Sequence, residues 1–413
     1  MRLAEAFEQL VGPDSPVEFV GYDSSRAGAP GADLRIEVRS PRALQYLVRA
    51  PGELGLARAY VAGDLEVHGD MHDALSRLMG MSGTFSQVPT RRLLRMLREF
   101  GGVKLLRRVP PPDNEVRLSG RRHSKLRDEA AISHHYDVSN TFYEWVLGPS
   151  MTYTCAVYPE PDATLETAQW TKYELVARKL DLKPGMRLLD VGCGWGGMVR
   201  HAAKAHGVKA LGVTLSGKQA EWAQKAIAED GLQDLAEVRH CDYRDVAESD
   251  FDVVSSIGLT EHVGKDNLPA YFQFLYEKLA PQGRLLNHCI TRPNGEEPAY
   301  HSKGFINRYV FPDGELESIG HLVSVMHDIG FDVRHEENLR EHYAKTLTAW
   351  CENLEEHWDE AVAEVGAQTA RVWRLYMAGS RLGFDRNWIQ LHQVLAAKPD
   401  ENGCASMPLR PTW

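Results

Sequence analysis

The sequence predicts an α/β protein with a mostly parallel sheet, covered by helices on both faces, and a nucleotide-type cofactor site at one edge of the sheet. Strand-like apolar runs alternate with helical patterns from about Ala131 onwards, and such alternation is typical of parallel sheets. The run Arg187–Val191 leads into a turn with four glycines, at positions 192, 194, 196 and 197. Glycines let the backbone turn sharply and approach a ligand closely, and the following helix would direct free N–H groups at that ligand.

The length allows two or three domains, or one large domain with an addition, and the composition is that of a soluble globular protein. Of the 413 residues, 43% are hydrophobic and 25% charged, which is ordinary for such proteins. No apolar run approaches the ~20 residues of a membrane-spanning helix, and the first ten residues lack a signal-peptide core. The six cysteines form no CxxC pair, which argues against a zinc ribbon and a disulfide framework. We therefore expect a cytoplasmic protein that contacts the inner face of the membrane peripherally.

The first 110 residues are predicted to form a small mixed α/β domain. We expect helices at 4–10, 41–49, 55–62 and 72–79, strands at 34–38 and 65–67, and a loop over Gly21–Gly31. Five apolar residues among arginines predict a basic amphipathic helix over 90–108, of the kind that lies on a membrane surface. Residues 111–130 are predicted to be a linker, and residues 131–413 to be the catalytic domain.

The formal net charge of -10 is distributed unevenly along the chain. Between Arg91 and Arg127 lie twelve Lys and Arg residues but three acids. A basic segment on an acidic protein favours an anionic partner, either lipid headgroups or nucleic acid. The alternative is a solvated linker.

The catalytic domain is predicted to follow the strand–helix alternation to its end. We expect strands at 187–191, 209–215, 236–241, 252–257, 283–290, 331–338 and 388–397, with helices at 196–206, 217–230, 266–280, 315–329 and, with a break, 341–383. Ligands of such sheets bind beyond the carboxyl ends of the strands.

Residues after the first three of these strands are candidates for binding the cofactor. The glycines also fit GxGxxG, the dinucleotide fingerprint, but the second strand lacks the terminal acid that a dinucleotide ribose requires. Thr214 and Gln219 are placed to bond a ribose, while Asp242 and Tyr243 are placed to hold an adenine. Asp190 is placed to orient the turn. For each residue the alternative is a cap or turn role.

Two further strand ends carry candidate catalytic groups. Glu261 lies in GLTEHVG after the fourth strand, and His288 lies in NHCI at the end of the fifth. Such a pair fits a proton acceptor or a metal, but no HxxxH-like cluster accompanies it, so we expect no metal. The aromatic stretches 134–140 and 151–158 are interpreted as a lid over the cofactor.

Taken together, these stretches resemble the cyclopropane-fatty-acyl-phospholipid synthase family of S-adenosylmethionine-dependent methyltransferases. The matching motifs occur in the family's order: HYDVSN (135–140), TYTCAVY (152–158), LLDVGCGWGG (188–197), GVTLSGKQ (212–219), DYRD (242–245), EHVG (261–264), HCI (288–290), FINRYVFPDGEL (305–316), HYAKTLTAW (342–350) and QLHQVLAAK (390–398). The resemblance implies a class I, Rossmann-like methyltransferase sheet of seven strands with the last one antiparallel. It also implies that the N-terminal domain, with GELGLARAYVAGDLEV (52–67), binds lipid.

The resemblance also implies residue roles. The positions that match the family's S-adenosylmethionine site are Tyr153, Thr154, Gly192, Gly194, Thr214, Gln219, Asp242 and Tyr243. The positions that match its bicarbonate pocket are Cys155, Glu261, His288, Ile290 and Tyr343, with Cys155 and Ile290 contributing backbone contacts. Bicarbonate is then the expected base. Its hydroxyl would donate to Glu261, which otherwise would repel an anion.

The family's chemistry is methylation of a double bond in an unsaturated phospholipid acyl chain, through a cation that an aromatic face such as Tyr136 or Tyr309 stabilises. Many cyclopropane synthases have an aromatic residue before EHVG, whereas this chain has Thr260. That difference resembles the actinobacterial branch that makes 10-methylene and 10-methyl chains. A methylene-branched product is therefore expected, with a cyclopropane as the alternative. A reductase acting on the product and a homodimer are further expected partners. Nucleic acid is not, because the motifs used on flipped bases are absent.

Overall fold

The computed structural model describes the chain except residues 13–14, 87–94, 96–97, 117, 119, 137 and 297–303, and it describes only the backbone of residues 81–86, 133 and 134. The chain forms two compact units. The first contains Met1–Arg117, Ser302–Val310 and Trp358–Leu382, and the second contains Leu118–His301, Phe311–His357 and Gly383–Trp413. The division at 117/118 falls inside the segment predicted as a linker, but the two later segments of the first unit were not predicted to belong to it.

The first unit has a four-stranded sheet and helices. Its strands are β1 (Glu18–Val20), β2 (Arg26–Ala27), β3 (Arg35–Val38) and β4 (Leu65–His68), in the order β2-β1-β3-β4. Its helices include α1 (Leu3–Val11), α2 (Arg42–Arg49), α3 (Glu53–Val61) and α4 (Met71–Ser86). The pairing of β1 with β3 is parallel and the other two pairings are antiparallel. The predicted loop Gly21–Gly31 therefore contains a short strand, β2, which the glycine-rich composition concealed.

The basic helix predicted over 90–108 is not continuous. Residues 87–94 and 96–97 lie outside the described part, and Gly102–Leu106 form a short 3-10 helix instead of an α-helix. Gly101 and Gly102 have φ values of 141° and 50°, which an α-helix cannot accommodate. The 3-10 turn packs against α2 through a hydrogen bond from Arg49 to the carbonyl of Leu106.

The second unit begins with three helices that the sequence analysis did not predict. They are α5 (Lys125–Tyr136), α6 (Asn140–Leu147) and α7 (Leu165–Leu180). Seven strands follow: β5 (Arg187–Val191), β6 (Lys209–Thr214), β7 (Ala236–His240), β8 (Phe251–Ile257), β9 (Leu279–Thr291), β10 (Asp332–Asn338) and β11 (Gln390–Ala397). The later helices of the chain are α8 (Gly197–His206), α9 (Gly217–Glu229), α10 (Thr260–Val263), α11 (Leu268–Lys278), α12 (Phe305–Tyr309), α13 (Ile319–Ile329), α14 (Arg340–Glu356), α15 (Trp358–Val365) and α16 (Ala367–Asp385).

The seven strands form one sheet in the order β10-β11-β9-β8-β5-β6-β7. All pairings from β9 to β7 are parallel, whereas β11 is inserted antiparallel between β9 and β10. This is the class I methyltransferase arrangement, and the prediction of an antiparallel last strand is confirmed. All seven strands were predicted within a few residues of their bounds. β5, β6 and β8 are apolar runs between turn residues, whereas β10 is largely polar.

Both faces of this sheet are covered by apolar cores. Adjacent strand residues point to opposite faces, so Leu188 packs with α7, α8 and α9 on one face and Leu189 packs with α11 and α13 on the other. The same alternation separates Leu286 from Leu285 on β9. The carboxyl ends of β5, β6 and β8 thus meet at one edge of a rigid frame. No helix within the described ranges is long and apolar enough to cross a membrane.

Candidate functional site

A cavity of about 270 Å³ lies at the carboxyl ends of β5, β6 and β8, entirely within the second unit. Its size approaches that of small-molecule sites in proteins. Eight of the nine predicted cofactor residues line it: Tyr153, Thr154, Asp190, Gly192, Gly194, Thr214, Gln219 and Tyr243. The structure therefore brings together residues that are up to 90 positions apart in the chain.

The glycine turn forms the floor of this cavity. Gly192 has a φ of 74°, and its N–H donates to the carbonyl of Val213 at 2.9 Å. A Cβ on Gly192 would lie 3.1 Å from the side chain of Leu259, and a Cβ on Gly197 would collide with the hydroxyl of Tyr173. The backbone therefore needs glycine at both positions, and α8 begins at the cavity wall.

Two buried charged groups lie beside the turn. Asp190 accepts a hydrogen bond from the Ser255 hydroxyl at 2.5 Å, and burial raises the pKa of Asp190 to about 6. Lys172 donates to the hydroxyl of Thr154 at 3.3 Å, and burial lowers the pKa of Lys172 to about 7. Both residues line the cavity. Asp190 and Lys172 interact electrostatically on the cavity wall, since each stabilises the charged form of the other.

The residues predicted to bind the ribose and the adenine differ in how their side chains are engaged within the protein. The Thr214 hydroxyl donates to Oε1 of Gln219 at 2.7 Å, so these two residues already form one polar patch. Tyr243 packs edge-on against Tyr271 and Phe274. Asp242 does not line the cavity, and its two oxygens accept hydrogen bonds from the guanidinium of Arg244 at 2.6 and 2.8 Å. An adenine contact at Asp242 would have to compete with this ion pair.

Glu261 is buried beneath the cavity wall. It lies on α10, and its Oε1 accepts the N–H of Ile290 at 2.6 Å. Glu261 and Ile290 line a second, much smaller cavity together with Thr260. Oε2 of Glu261 has no hydrogen-bond partner among the described residues. Burial raises the pKa of Glu261 to about 7, although the hydrogen bond from Ile290 acts to lower this pKa.

His288 is the second buried group with an unused polar atom. It lies on β9, two residues before Ile290, and its Nδ1 contacts Nε2 of Gln393 at 3.2 Å. Its Nε2 is buried without a partner in the described part of the chain. Burial holds the pKa of His288 well below its usual range, so the imidazole is neutral.

The remaining two predicted catalytic residues are joined through the start of α14. Sγ of Cys155 contacts the carbonyl of Leu339 at 3.8 Å, and the N–H of Tyr343 donates to the same carbonyl at 3.1 Å. The ring of Tyr343 packs on Phe384, with centroids 4.5 Å apart. None of the five predicted catalytic residues lines the larger cavity, although the chain neighbours of Cys155 and Glu261 do.

Aromatic rings cover the cavity. Tyr136 lies edge-on to Tyr153 and Trp195, with ring centroids 6.0 and 6.3 Å apart, and all three residues line the cavity. The interpretation of 134–140 and 151–158 as cavity cover is therefore supported for these rings. Tyr309, the other aromatic candidate, belongs to the first unit, where its hydroxyl donates to Glu115.

Lys172 is a cavity residue that the sequence analysis missed. The structure places Gln169, Lys172 and Lys179 on the buried face of α7 among apolar residues, a face that the sequence analysis did not identify because it did not predict this helix. Lysine is almost never completely buried unless its charge is paired. Gln393 gave no signal in the sequence, since only its pairing with β9 brings it to His288.

The residues that line the larger cavity fit the cofactor implied by the sequence. The turn is a cradle that a Cβ would fill, and beside it are hydroxyl and amide groups for a ribose and rings for an adenine. These features fit S-adenosylmethionine. Oε2 of Glu261 and Nε2 of His288 are buried and have no hydrogen-bond partner among the described residues.

Comparison with protein families and relatives gives one consistent result. Residues 123–394 match the family model described as mycolic acid cyclopropane synthetase. The chain is 56% identical over 408 residues to a probable fatty acid methyltransferase of Mycobacterium tuberculosis, covering 96% of this chain and 95% of that protein. It is 31% identical over 380 residues to the cyclopropane-fatty-acyl-phospholipid synthase of Escherichia coli, covering 91% of this chain and 90% of that protein.

A solved structure agrees with the sequence matches. The mycolic acid cyclopropane synthase CmaA1, in complex with SAH and CTAB, superposes with a TM-score of 0.62 at 32% identity. The match covers 65% of this chain and 97% of CmaA1.

Glu261→Gln should make the stability of the protein less dependent on pH. The pKa of Glu261 is about 7 in the folded protein and 4.5 ordinarily. Between these values the folded state keeps a proton that the unfolded state releases, so the free energy of unfolding falls as pH rises. The shift corresponds to about 3 kcal/mol. Urea unfolding at pH 5 and pH 7.5 should show a smaller fall in the variant.

The exposed substitution Glu229→Gln is the matched control and should keep the wild-type pH dependence. An equal fall in wild type and Glu261→Gln would contradict the raised pKa.

Proposed function

This chain belongs to the mycolic acid cyclopropane synthetase family of S-adenosylmethionine-dependent methyltransferases, and we propose that it methylates the cis double bond of an unsaturated, oleoyl-type phospholipid acyl chain. The observation that carries the proposal is the pair of buried atoms, Oε2 of Glu261 and Nε2 of His288, that lack partners in the described structure. Unpaired buried polar atoms are costly, and we propose that one bound anion supplies a partner to each of them.

The proposed reaction needs an electrophile, a base and a dry site. S-adenosylmethionine, when bound, supplies an electrophilic methyl group. An alkene is a weak nucleophile, so it must be held close to that methyl group and in line with it. The alkene π electrons would form a bond to the methyl carbon while the bond from that carbon to sulfur breaks, so that S-adenosylhomocysteine leaves and a cation remains on the acyl chain. The rings of Tyr136, Tyr153 and Trp195 cover the cavity and would exclude water, which otherwise would trap the cation.

We assign the base to bicarbonate, which takes up the proton when bound. Glu261, His288 and Tyr343 would hold it, with backbone contacts at Cys155 and Ile290. The hydrogen bond from the N–H of Ile290 to Glu261 supports this proposal, because it holds the carboxyl at the strand end. Because the pKa of Glu261 is near 7, both forms of the carboxyl are present near neutrality, and either form can share a proton with bicarbonate.

We propose a methylene-branched product, with a cyclopropane as the alternative. A hydride shift along the chain, followed by loss of a proton from the new methyl group, gives the methylene. Direct loss of that proton with ring closure gives the cyclopropane. Thr260 donates to Oδ1 of Asn287 at 2.7 Å and is buried beside Glu261. An aromatic side chain would fill this space, so threonine changes the shape of the pocket near the base. A methylene product is a substrate for a reductase, which we propose as a functional partner.

Expression of the protein in a bacterial host that contains oleate should produce fatty acids heavier by one CH₂. Mass spectrometry of fatty acid methyl esters detects the added mass, and proton NMR distinguishes a methylene, which has olefinic protons, from a cyclopropane. Cells with the empty vector are the control. Absence of any such chain would refute the proposed reaction, and cyclopropane signals alone would favour the alternative.

Glu261→Gln should abolish turnover while leaving S-adenosylmethionine binding within about twofold. The carboxyl lies outside the cofactor cavity, and an amide cannot accept a proton from bicarbonate. Activity is measured as transfer of labelled methyl to lipid, and cofactor affinity by calorimetry. Glu229→Gln should retain full activity. Full activity of Glu261→Gln would remove Glu261 from the proposed base site.

We also propose that the first unit contacts the membrane through the 3-10 turn at 102–106. Val103 is 81% exposed and Leu106 is 58% exposed, next to the exposed cations Lys104, Arg107 and Arg108. Apolar side chains among cations are typical of segments that enter an anionic lipid surface. Of the basic segment's other cations, Lys125 and Arg127 pair with Asp245 and Asp313, so their charges are largely neutralised.

The double variant Val103→Ser/Leu106→Ser should bind vesicles containing phosphatidylglycerol about tenfold more weakly, because two apolar side chains no longer enter the lipid. Sedimentation with vesicles at low and high salt measures the effect. Leu409→Ser removes an even more exposed leucine from the second unit and should not weaken binding. Unchanged binding of the double variant would exclude this turn as the contact.

A further inference from the structure

Three polar side chains form a row across the antiparallel part of the sheet. Glu337 on β10 lies directly opposite Gln393 on β11, and Gln393 lies directly opposite His288 on β9. Directly opposed residues of antiparallel strands point to the same face. That face is the one covered by α7, because Leu286 and Leu395, two positions from His288 and Gln393, pack with Val176 and Leu180.

Lys179 of α7 joins two members of this row. Its Nζ donates to Oε2 of Glu337 at 2.5 Å and to Oε1 of Gln393 at 2.8 Å. The side chain of Lys179 is fully buried, as is that of Gln393, while Glu337 reaches solvent. The ammonium group therefore has a carboxylate to balance its charge.

The lysine determines which way the Gln393 amide faces. An ammonium group only donates hydrogen bonds, so the amide atom that faces Lys179 must be the oxygen. The amide nitrogen then faces His288, where it lies 3.2 Å from Nδ1. Because this nitrogen donates, Nδ1 must accept and carries no proton. In a neutral imidazole the proton is then on Nε2.

We propose that Gln393, itself oriented by Lys179 and Glu337, is a positioning residue that holds His288 as the Nε2–H tautomer, so that the imidazole donates a hydrogen bond to the anion at the base site. The consequence for anion binding rests on the proposed function, whereas the tautomer itself does not. The opposite tautomer would direct the Nε2 lone pair at an anion and repel it.

The Nε2–H tautomer and an anion bound to it also account for the unpaired Nε2 of His288. Nε2 of His288 is buried and has no partner in the described part of the chain, and a buried N–H without an acceptor destabilises the protein. Three further polar residues, Gln393, Lys179 and Glu337, maintain this donor, and the first two of them are fully buried. This arrangement is more than core packing requires, because an apolar residue at 393 would fill the same position without a buried amide.

The tautomer can be measured directly with selectively ¹⁵N,¹³C-labelled histidine, because the nitrogen and Cδ2 shifts differ between the two neutral tautomers. The His288 signal is assigned as the one lost in His288→Gln. We expect the Nε2–H pattern in wild type. Gln393→Glu places a carboxylate, which only accepts, against Nδ1, so Nδ1 should become protonated. Gln390→Glu, a change of the same kind on the same strand outside the row, should leave the signal unchanged.

Enzyme kinetics then test whether the tautomer of His288 affects the binding of the anion. Gln393→Glu should raise the KM for bicarbonate at least tenfold, with cofactor affinity unchanged within twofold, and Gln390→Glu should behave as wild type. If Gln393→Glu does not fold, Lys179→Met provides the second test. It frees the amide to rotate, so the His288 spectrum should become a mixture of tautomers.

An Nδ1–H pattern in wild type, or an unchanged Nε2–H pattern in Gln393→Glu and in Lys179→Met, would overturn the proposal. An unchanged bicarbonate KM in a variant with the altered tautomer would overturn its consequence for anion binding. The NMR experiment does not depend on turnover. An enzyme that methylates no lipid would therefore refute the proposed function and leave the assignment of Gln393 to be decided by the spectra.

Discussion

Burial of ionisable groups is the constraint on which the rest of this structure depends. Asp190, Lys172, Glu261 and His288 are all removed from water, and each would be costly in an ordinary core. They are held at the ends of the sheet's strands and on a helix packed against it, where rigid backbone fixes their few partners. Burial shifts each pKa towards the neutral form. Oε2 of Glu261 and Nε2 of His288 are left without hydrogen-bond partners in the described part of the chain.

The sheet could be predicted from the sequence because its strands are encoded locally. Arg187–Val191 was predicted with its observed bounds, since an apolar run between a charged segment and a glycine turn has one interpretation. The three helices before it were missed. On α7, buried lysines and glutamine interrupt the apolar face, so the helical period is weak. Thus the residues that obscured the helix are among those that build the site.

The candidate site was predictable to the extent that its residues follow strands. Thr214 and Tyr243 could be placed because Thr214 ends β6 and Tyr243 follows β7, and the carboxyl ends of these strands share one edge. Asp242 followed the same logic, but its pairing with Arg244 depends on a side-chain conformation that spacing does not reveal. Gln393 could not be found either, because its role requires knowing that β11 runs antiparallel beside β9.

The position of β11 has a consequence for how the protein is made. This strand, near the end of the chain, lies between β9 and β10, which precede it. Until residues 390–397 leave the ribosome, β9 has an open edge and His288 lacks its partner. A nascent or truncated chain could form β5 to β9 and their glycine turn, yet it would expose an aggregation-prone edge. Early steps of synthesis thus yield the glycine turn on a sheet in which His288 is not yet opposite Gln393, and the last strand both covers the open edge of β9 and completes this pairing.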